Sequence, residues 1–426
     1  MGLLDGAYIN DTTNHDVYQI DTHLHTFTAT IPISGPAPVN SKLRVSPDES
    51  LVLATTGASI IPIPTATLTP GASIALGAGA IEDIGFTPDG TSAWCVGQTK
   101  IVQVNIPALT IGSSFTIAGS GGAGIAIAPD GIHAYISHST GIYPVNLSTL
   151  VVGPVITTAP DVPQYLAYTP DGTQVFASAL NSTGHVWSVT TATNTLVTYS
   201  IPGAAVSFQP FDVAVTLDGA NAWFSIVDPA AVAPHNYLIP ISCVGHVIGS
   251  KVAFPNTVAG IAVRPDNAEI EVVSPGATGV YPMTIPANVV GSLIAVGAGG
   301  HPNYIAIGPV FPAATVTLPK LFIPVKGVPS YSPQDLNADF LDIEEWANAV
   351  NKLIGSTVTL FIPHKAPRIP NEMNANWLTI AIWANDIAAP NSKVKGPILT
   401  IPRWNSLGAP DLTVNFLAIQ NWANRL

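Results

Sequence analysis

From residue 124 to 137 the chain reads GIAIAPDGIHAYIS: apolar and small side chains alternate up to a Pro-Asp-Gly turn, and a second alternating run leaves it. A period of two on both sides of a tight turn predicts a pair of antiparallel strands. Variants return six more times before residue 320. Asp48, Asp89, Asp130 and Asp171 mark the turn at intervals of 41 residues, Asp218 and Asp266 follow after 47 and 48, and an eroded seventh copy, IAIGP, occupies 305–309.

The two ends of this region are complementary. Ala7, Tyr8 and Ile9 match Ala134, Tyr135 and Ile136, and VYQID at 17–21 matches IVQVN at 101–105, so residues 7–30 supply the later strands of a repeat. The matching first strand is the eroded copy. Pairing the two would close a ring without an open sheet edge. Seven repeats of about 40 residues with four short strands each predict a mainly β fold, a seven-bladed β-propeller over residues 1–316 closed by its N- and C-terminal strands. Three residues before the turn proline stand Gly85, Ala126, Ala167, Ala214, Ala262 and Ala306, with Arg44 the exception. Small side chains there let the bulkier face of the next blade approach. A proline recurs in the third strand at Pro62, Pro144, Pro240 and Pro282, as a bulge or an unpaired position.

This region resembles the YVTN-type and NHL-type propeller repeats of surface-layer and other secreted proteins. That resemblance implies the fold and little about activity, because propellers host enzymes, adhesins and scaffolds alike.

After residue 316 the period changes, and residues 317–426 are read as a second domain of three strand-plus-helix units. Leu321-Phe-Ile-Pro324, Leu360-Phe-Ile-Pro363 and Leu399-Thr-Ile-Pro402 stand 39 residues apart, each leading to Trp-Ala-Asn at Trp346, Trp383 and Trp422. Counting back from each Trp, columns of Leu336, Met373 and Leu412, of Phe340, Trp377 and Phe416, of Leu341, Leu378 and Leu417, and of Ile343, Ile380 and Ile419 fall on one face of a helix of about 15 residues. Ser332 and Asn371 are the expected caps, and Asn348, Asn385 and Asn424 the expected ends. LNADFLDIEEWAN at 336–348 resembles helical segments repeated in minor tail proteins of phages that infect actinobacteria. Two arrangements would hide the apolar helix face, the three helices of one chain packed together or equivalent helices of several chains meeting in layers; the Pro-rich links KGVPSYSP and HKAPRIPN favour the layers, with Phe340, Trp346, Trp377, Trp383, Phe416 and Trp422 as the assembly residues and, by analogy with tail fibres, a homotrimer as the product.

Composition narrows the function. Charged residues are only 9% and the net charge is −12. Residues 1–320 hold 18 acidic and 6 basic side chains and 321–426 hold 8 of each, so the whole imbalance sits on the repeats and would repel a phosphate backbone. No nucleic-acid partner and no membrane insertion are expected. Cys95 and Cys243 fall at non-equivalent places in different repeats, so no disulfide framework is expected. The start MGLLDGAYINDTTNHD lacks the basic and apolar regions of a signal peptide, and ordinary secretion is not expected.

Chemistry is sparse. Gly119, Gly121 and Gly124 spell G-x-G-x-x-G, but they enter a strand rather than open a helix and are read as a turn. Asp21, His23 and His25 alternate and would present three metal ligands if that stretch were a strand; the equivalent stretches elsewhere are turns after the third strand, and a solvated turn is preferred. Glu82, Asp83, Asp212 and Asn303 stand near the channel mouth and form the set from which a divalent-ion site would be assembled. Glu344 and Glu345 point about 100° apart on a helix and are read as a solvated face. No metal or other cofactor and no catalytic residue is assigned.

The sequence therefore points first to a non-enzymatic virion protein, a phage minor tail protein. Its propeller would contact a host-surface glycan or protein or other tail proteins. The alternatives are a lactonase-like propeller hydrolase using the channel set, and a cellular surface adhesin.

Overall fold

The computed structural model describes residues 6–33, 42–117, 122–180, 184–204, 209–228, 235–297, 300–308, 321, 333–354, 360–363, 370–387, 399, 412 and 415–420. They divide into two compact units, Met1–Ala314 and Thr315–Leu426, two residues before the boundary read from the repeats.

The first unit is a seven-bladed β-propeller built of seven four-stranded antiparallel sheets. Taken in order of their inner strands, blades 1 to 6 cover 43–75, 81–115, 122–152, 162–200, 209–253 and 261–295. Blade 7 joins the two ends of the unit: the inner strand Pro302–Ile307 pairs with Gly6–Asp11, which continues into Asp16–Asp21 and Thr26–Pro32. Ala7 stands opposite Ile307, Tyr8 opposite Ala306 and Ile9 opposite Ile305. Side-chain bonds reinforce the seam, from the Tyr304 amide to Asn10 Oδ1 at 2.6 Å and from the His301 amide to Asp11 Oδ1 at 2.9 Å.

The Pro-Asp-Gly turn links the first and second strands of a blade. Gly90, Gly131, Gly172 and Gly219 take positive φ there, where an L side chain is strained. The aspartate before each accepts local bonds: Asp89 takes the Thr87 hydroxyl at 2.6 Å and the Thr91 amide at 3.0 Å. Apolar clusters lie between adjacent blades. Trp94 and Val96 of blade 2 pack with Ile125, Ile127 and Ile136 of blade 3. A Cβ added to Gly85 would lie 3.1 Å from Ile127, which is why that column is small.

The third-strand prolines are paired, not bulged. Pro62, Pro144, Pro240 and Pro282 stand opposite Leu53, Tyr135, Trp223 and Glu271 in the ladder. On the other edge the missing N–H faces the outer strand. There Gly71, Gly153, Gly249 and Gly291 donate to the proline carbonyls at 2.7–2.8 Å, and a Cβ on any of them would come within 3.0 Å of the proline ring. The four blades with this proline have outer strands of two residues, and the other three have outer strands of six or seven.

In the second unit α1 spans Pro333–Ile354 and α2 spans Pro370–Ile387. Each begins on proline, whose fixed φ suits a first helical turn. At 22 and 18 residues they outrun the expected length, so Asn348 and Asn385 lie inside helices and Asn371 follows the first residue of α2. Residues 415–420 are also helical. Ser332, Asn424 and Trp422 lie outside the described residues.

The three repeats share one core inside one chain. It gathers Leu321, Leu360 and Leu399 from the segments before the helices with Phe340, Trp346, Trp377, Trp383 and Phe416. The rings of Phe340, Trp377 and Phe416 form a near-equilateral triangle with centroids 5.2, 5.3 and 5.5 Å apart, and Trp346 meets Trp383 edge-on at 5.8 Å. Within this chain the five described assembly aromatics already bury one another, which is the intramolecular arrangement rather than the favoured layers. Two smaller corrections follow. Leu378 and Leu417 are exposed rather than in the core, and Glu344, read as solvated, accepts the Ile362 amide at 2.9 Å and so ties the first repeat to the second.

Candidate functional site

The channel is shaped by one column, five residues before the turn proline. In blade order it reads Lys42, Asp83, Gly124, Tyr165, Asp212, Gly260 and Tyr304. After the lysine, Asp-Gly-Tyr occurs twice. The inner strands of blades 2 to 5 shift register at or beside this position, which re-aims its side chain. Second-strand side chains take up amides that the column turns away from the ladder: Thr55 for Lys42, Ser137 for Gly124, Ser178 for Tyr165 and Ser225 for Asp212, at 2.7–3.0 Å.

Each Asp-Gly-Tyr set works as a unit. Asp83 accepts the amide of Ile84 at 2.9 Å and, across the blade boundary, that of Ile125 at 3.1 Å. Asp212 does the same with Val213 at 3.0 Å and Ile261 at 3.1 Å. The residue before each cross-blade amide is the column glycine. A Cβ at Gly124 would stand 2.5 Å from the Gln164 carbonyl and one at Gly260 2.7 Å from the Tyr304 Cα, so only glycine lets the tyrosine blade come this close.

Lys42 and the two tyrosines close the axis. The lysine is fully buried, its Nζ 3.4 Å from the centre of the Tyr165 ring, 4.1 Å from that of Tyr304 and 3.7 Å from Asp212 Oδ1. The Tyr165 and Tyr304 hydroxyls hydrogen-bond to each other, and Phe211 packs against both rings. Burial pushes the Lys42 amine down to about 8, against the pull of Asp212 and Asp83. Burial pushes both tyrosine hydroxyls well up. Arg44 answers the second aspartate, 3.0 Å from Asp83. Beyond this floor a cavity of about 140 Å³ is walled by the inner strands of all seven blades, mostly by apolar groups such as Ile84, Ala126, Ala167, Ala214, Ala262 and Ala306.

The structure thus places the four expected channel residues apart in role. Asp83 and Asp212 lie at the floor, each engaged by a cation and by two amides. Glu82 accepts from Gln98 at 3.2 Å near the surface, and the Asn303 carbonyl accepts the Gly260 amide. Sequence reading missed Lys42, Arg44, Tyr165 and Tyr304 as their partners, although the Asp-Gly-Tyr recurrence in the column was there to be seen.

Asp21, His23 and His25 also part company. Asp21 accepts the His23 and Leu24 amides at the turn, His23 meets Arg264 of blade 6, and His25 Nε2 lies 3.0 Å from Glu269 Oε2. His25 takes a left-handed φ of 50°, as do Leu68, Leu109, Leu150, Asn194, His246 and Asn288 at the same turn of the other blades. Of the G-x-G-x-x-G glycines, Gly119 and Gly121 lie outside the described residues, and Gly124 is the column glycine above. Cys95 and Cys243 are free and buried.

Fold and channel together define a seven-bladed propeller protein whose axis is closed at one level by its own side chains. No family model matches the sequence, and no curated protein matches it. Among solved structures it is similar to hydrazine synthase of Kuenenia stuttgartiensis, at 18% identity and a TM-score of 0.55 over 63% of this chain and 89% of that one. It is similar to a functionally unknown protein from Desulfotomaculum acetoxidans, at 15% identity and a TM-score of 0.56 over 71% and 99%. It is also similar to the dihydro-heme d1 dehydrogenase NirN in complex with DHE, at 11% identity and a TM-score of 0.53 over 71% and 75%. These likenesses establish the propeller fold.

Proposed function

We propose that the chain is a non-enzymatic structural protein of a phage virion, a minor tail protein whose propeller is a contact module and whose three-repeat unit is an attachment module. The observation that carries the non-enzymatic part is the Lys42 ammonium seated between Tyr165, Tyr304 and Asp212. It stands where a channel ion would need ligands, and each nearby aspartate spends one oxygen on an amide of its own blade and the other on an amide of the next. Such a floor holds the ring together and offers a substrate no pair of free acid and base groups. The acidic surface and the helical repeat at 336–348 support a tail protein, with a neutral host glycan, a host protein or another tail protein as partner. Attachment through the second unit is supported by its exposed Phe361, Leu378, Ile382 and Leu417.

An antibody raised against the purified chain is expected to decorate the tails of intact particles in electron micrographs. Labelling restricted to lysate, with none on particles, overturns the virion reading. Turnover of lactone substrates by purified protein, abolished by Asp212→Ala, would instead establish the hydrolase.

A further inference from the structure

Opposite the small column of the inner strands, the second strands carry Tyr8, Leu53, Trp94, Tyr135, Phe176, Trp223 and Glu271 at one ladder position. Six blades put a large apolar or aromatic side chain there and blade 6 puts a carboxylate. Glu271 is 0% exposed, and neither of its oxygens has a hydrogen-bond partner. Burial pushes the Glu271 carboxyl up to about 8, so by itself it stays neutral and its oxygens still lack partners; a cation arriving there would be met by a desolvated carboxylate ready to pair with it.

The neighbours are suited to one. Glu269 lies two residues away, and Arg264 Nη1, 2.6 Å from its Oε2, holds it in place. From blade 7, His25 brings its Nε2 to 3.0 Å from the same oxygen. Ligand atoms of His25, Glu269 and Glu271 all lie within 4.8 Å of one another. We propose that these three residues form a binding site for a divalent transition ion of the zinc class, which ties blade 6 to the closing blade.

A metal with bonds of about 2.1 Å holds adjacent ligand atoms roughly 3.0 to 3.4 Å apart, so the His25–Glu269 spacing is already that of a coordination edge and the widest pair closes by at most about 1.4 to 1.8 Å. One imidazole with two carboxylates favours zinc and its neighbours over calcium or magnesium, which prefer all-oxygen shells. Arg264 then acts behind the ligands, holding Glu269 as it also holds Asp266 and His23. Three protein ligands leave a coordination position open. A cavity of about 230 Å³ bordered by His25, Glu269, Thr284 and Ser292 supplies room for water or a small anion there.

The full chain, stripped with chelator, is titrated with zinc chloride by calorimetry and melted with and without the ion. One ion per chain and a higher melting temperature with zinc are expected. His25→Ala and Glu271→Gln each weaken binding by at least about tenfold, the lower end of the loss seen even for partners behind the ligands, and remove the thermal gain, whereas His133→Ala, at an exposed histidine on the turn of blade 3, changes neither. His25 is exposed, so its variant folds and decides the matter even if Glu271→Gln does not. Absence of zinc uptake by the wild type, or uptake unchanged in His25→Ala, overturns the site.

Discussion

Asp212 and Lys42 meet on the axis, but their charges are supported unequally. The aspartate keeps two backbone donors whatever the lysine does, whereas the lysine has only Asp212 at 3.7 Å and two ring faces. Removing the better-supported partner is therefore the worse injury. Asp212→Ala is expected to cost about 3 to 5 kcal/mol, as for other broken buried pairs, and Lys42→Met, which keeps the volume and removes the desolvated charge, about 1 kcal/mol or less. Denaturant melts check the ranking. The pH dependence has a defined sign. Below about 8 the amine is charged in the folded and unfolded chain, and its burial penalty is fully present. Between about 8 and the ordinary 10.5 only the unfolded chain keeps the proton, so stability contributed at this site rises with pH. The melting temperature of the wild type relative to Lys42→Met is expected to rise across that window. Equal losses in the two variants with a flat difference against pH would remove Lys42 from the role given to it.

At the scale of strands, one residue type governs blade width. Proline in the third strand withholds a donor from the outer edge, a glycine moves in over the ring, and the outer strand shrinks to two residues. The prolines were visible in sequence; their consequence needed the neighbouring strand. Closure of blade 7 is the converse case, since the complementary half-repeats at 7–30 and 305–309 identify the pairing from sequence. Deleting residues 1–27 would leave Pro302–Ile307 without its partner Gly6–Asp11 and break the ring at the seam. A large fall in melting temperature and loss of solubility are expected. A truncated chain that melts with the full-length protein would show that closure is dispensable. The helix ends illustrate the limit of local signals: Asn348 and Asn385 looked like stops, but the first helix runs on to Ile354, with Val350 in the core, and the second to Ile387.

At the scale of the molecule, the threefold character expected between chains is found within one. Three 39-residue units place Phe340, Trp377 and Phe416 around a common centre, so the aromatic area that argued for association is already covered. Light scattering at micromolar concentration is accordingly expected to report a monomer. Trp377→Ala is expected to destabilise the second unit by about 3 to 5 kcal/mol, as for other large core truncations, while the propeller transition stays in place. A stable trimer that Trp377→Ala dissociates would restore the layered arrangement.

The sequence by itself determined the strands, the turns, the number of blades, the closing pair and the change of unit after residue 316. All of these follow from periodicities of two, about 40 and 39 residues, which are local or repeat regularly along the chain. Tertiary structure alone decided what the polar residues do. Lys42 meets Tyr165, Asp212 and Tyr304 because a ring brings one column of seven blades to one axis. His25 meets Glu269 from 244 residues away because the last blade borrows its outer strands from the other end of the propeller. Partners set by closure of a ring leave no spacing along the chain from which to read them. Asp83 and Asp212, taken alone, looked like free ligands until a cation and an amide from other blades faced each of them.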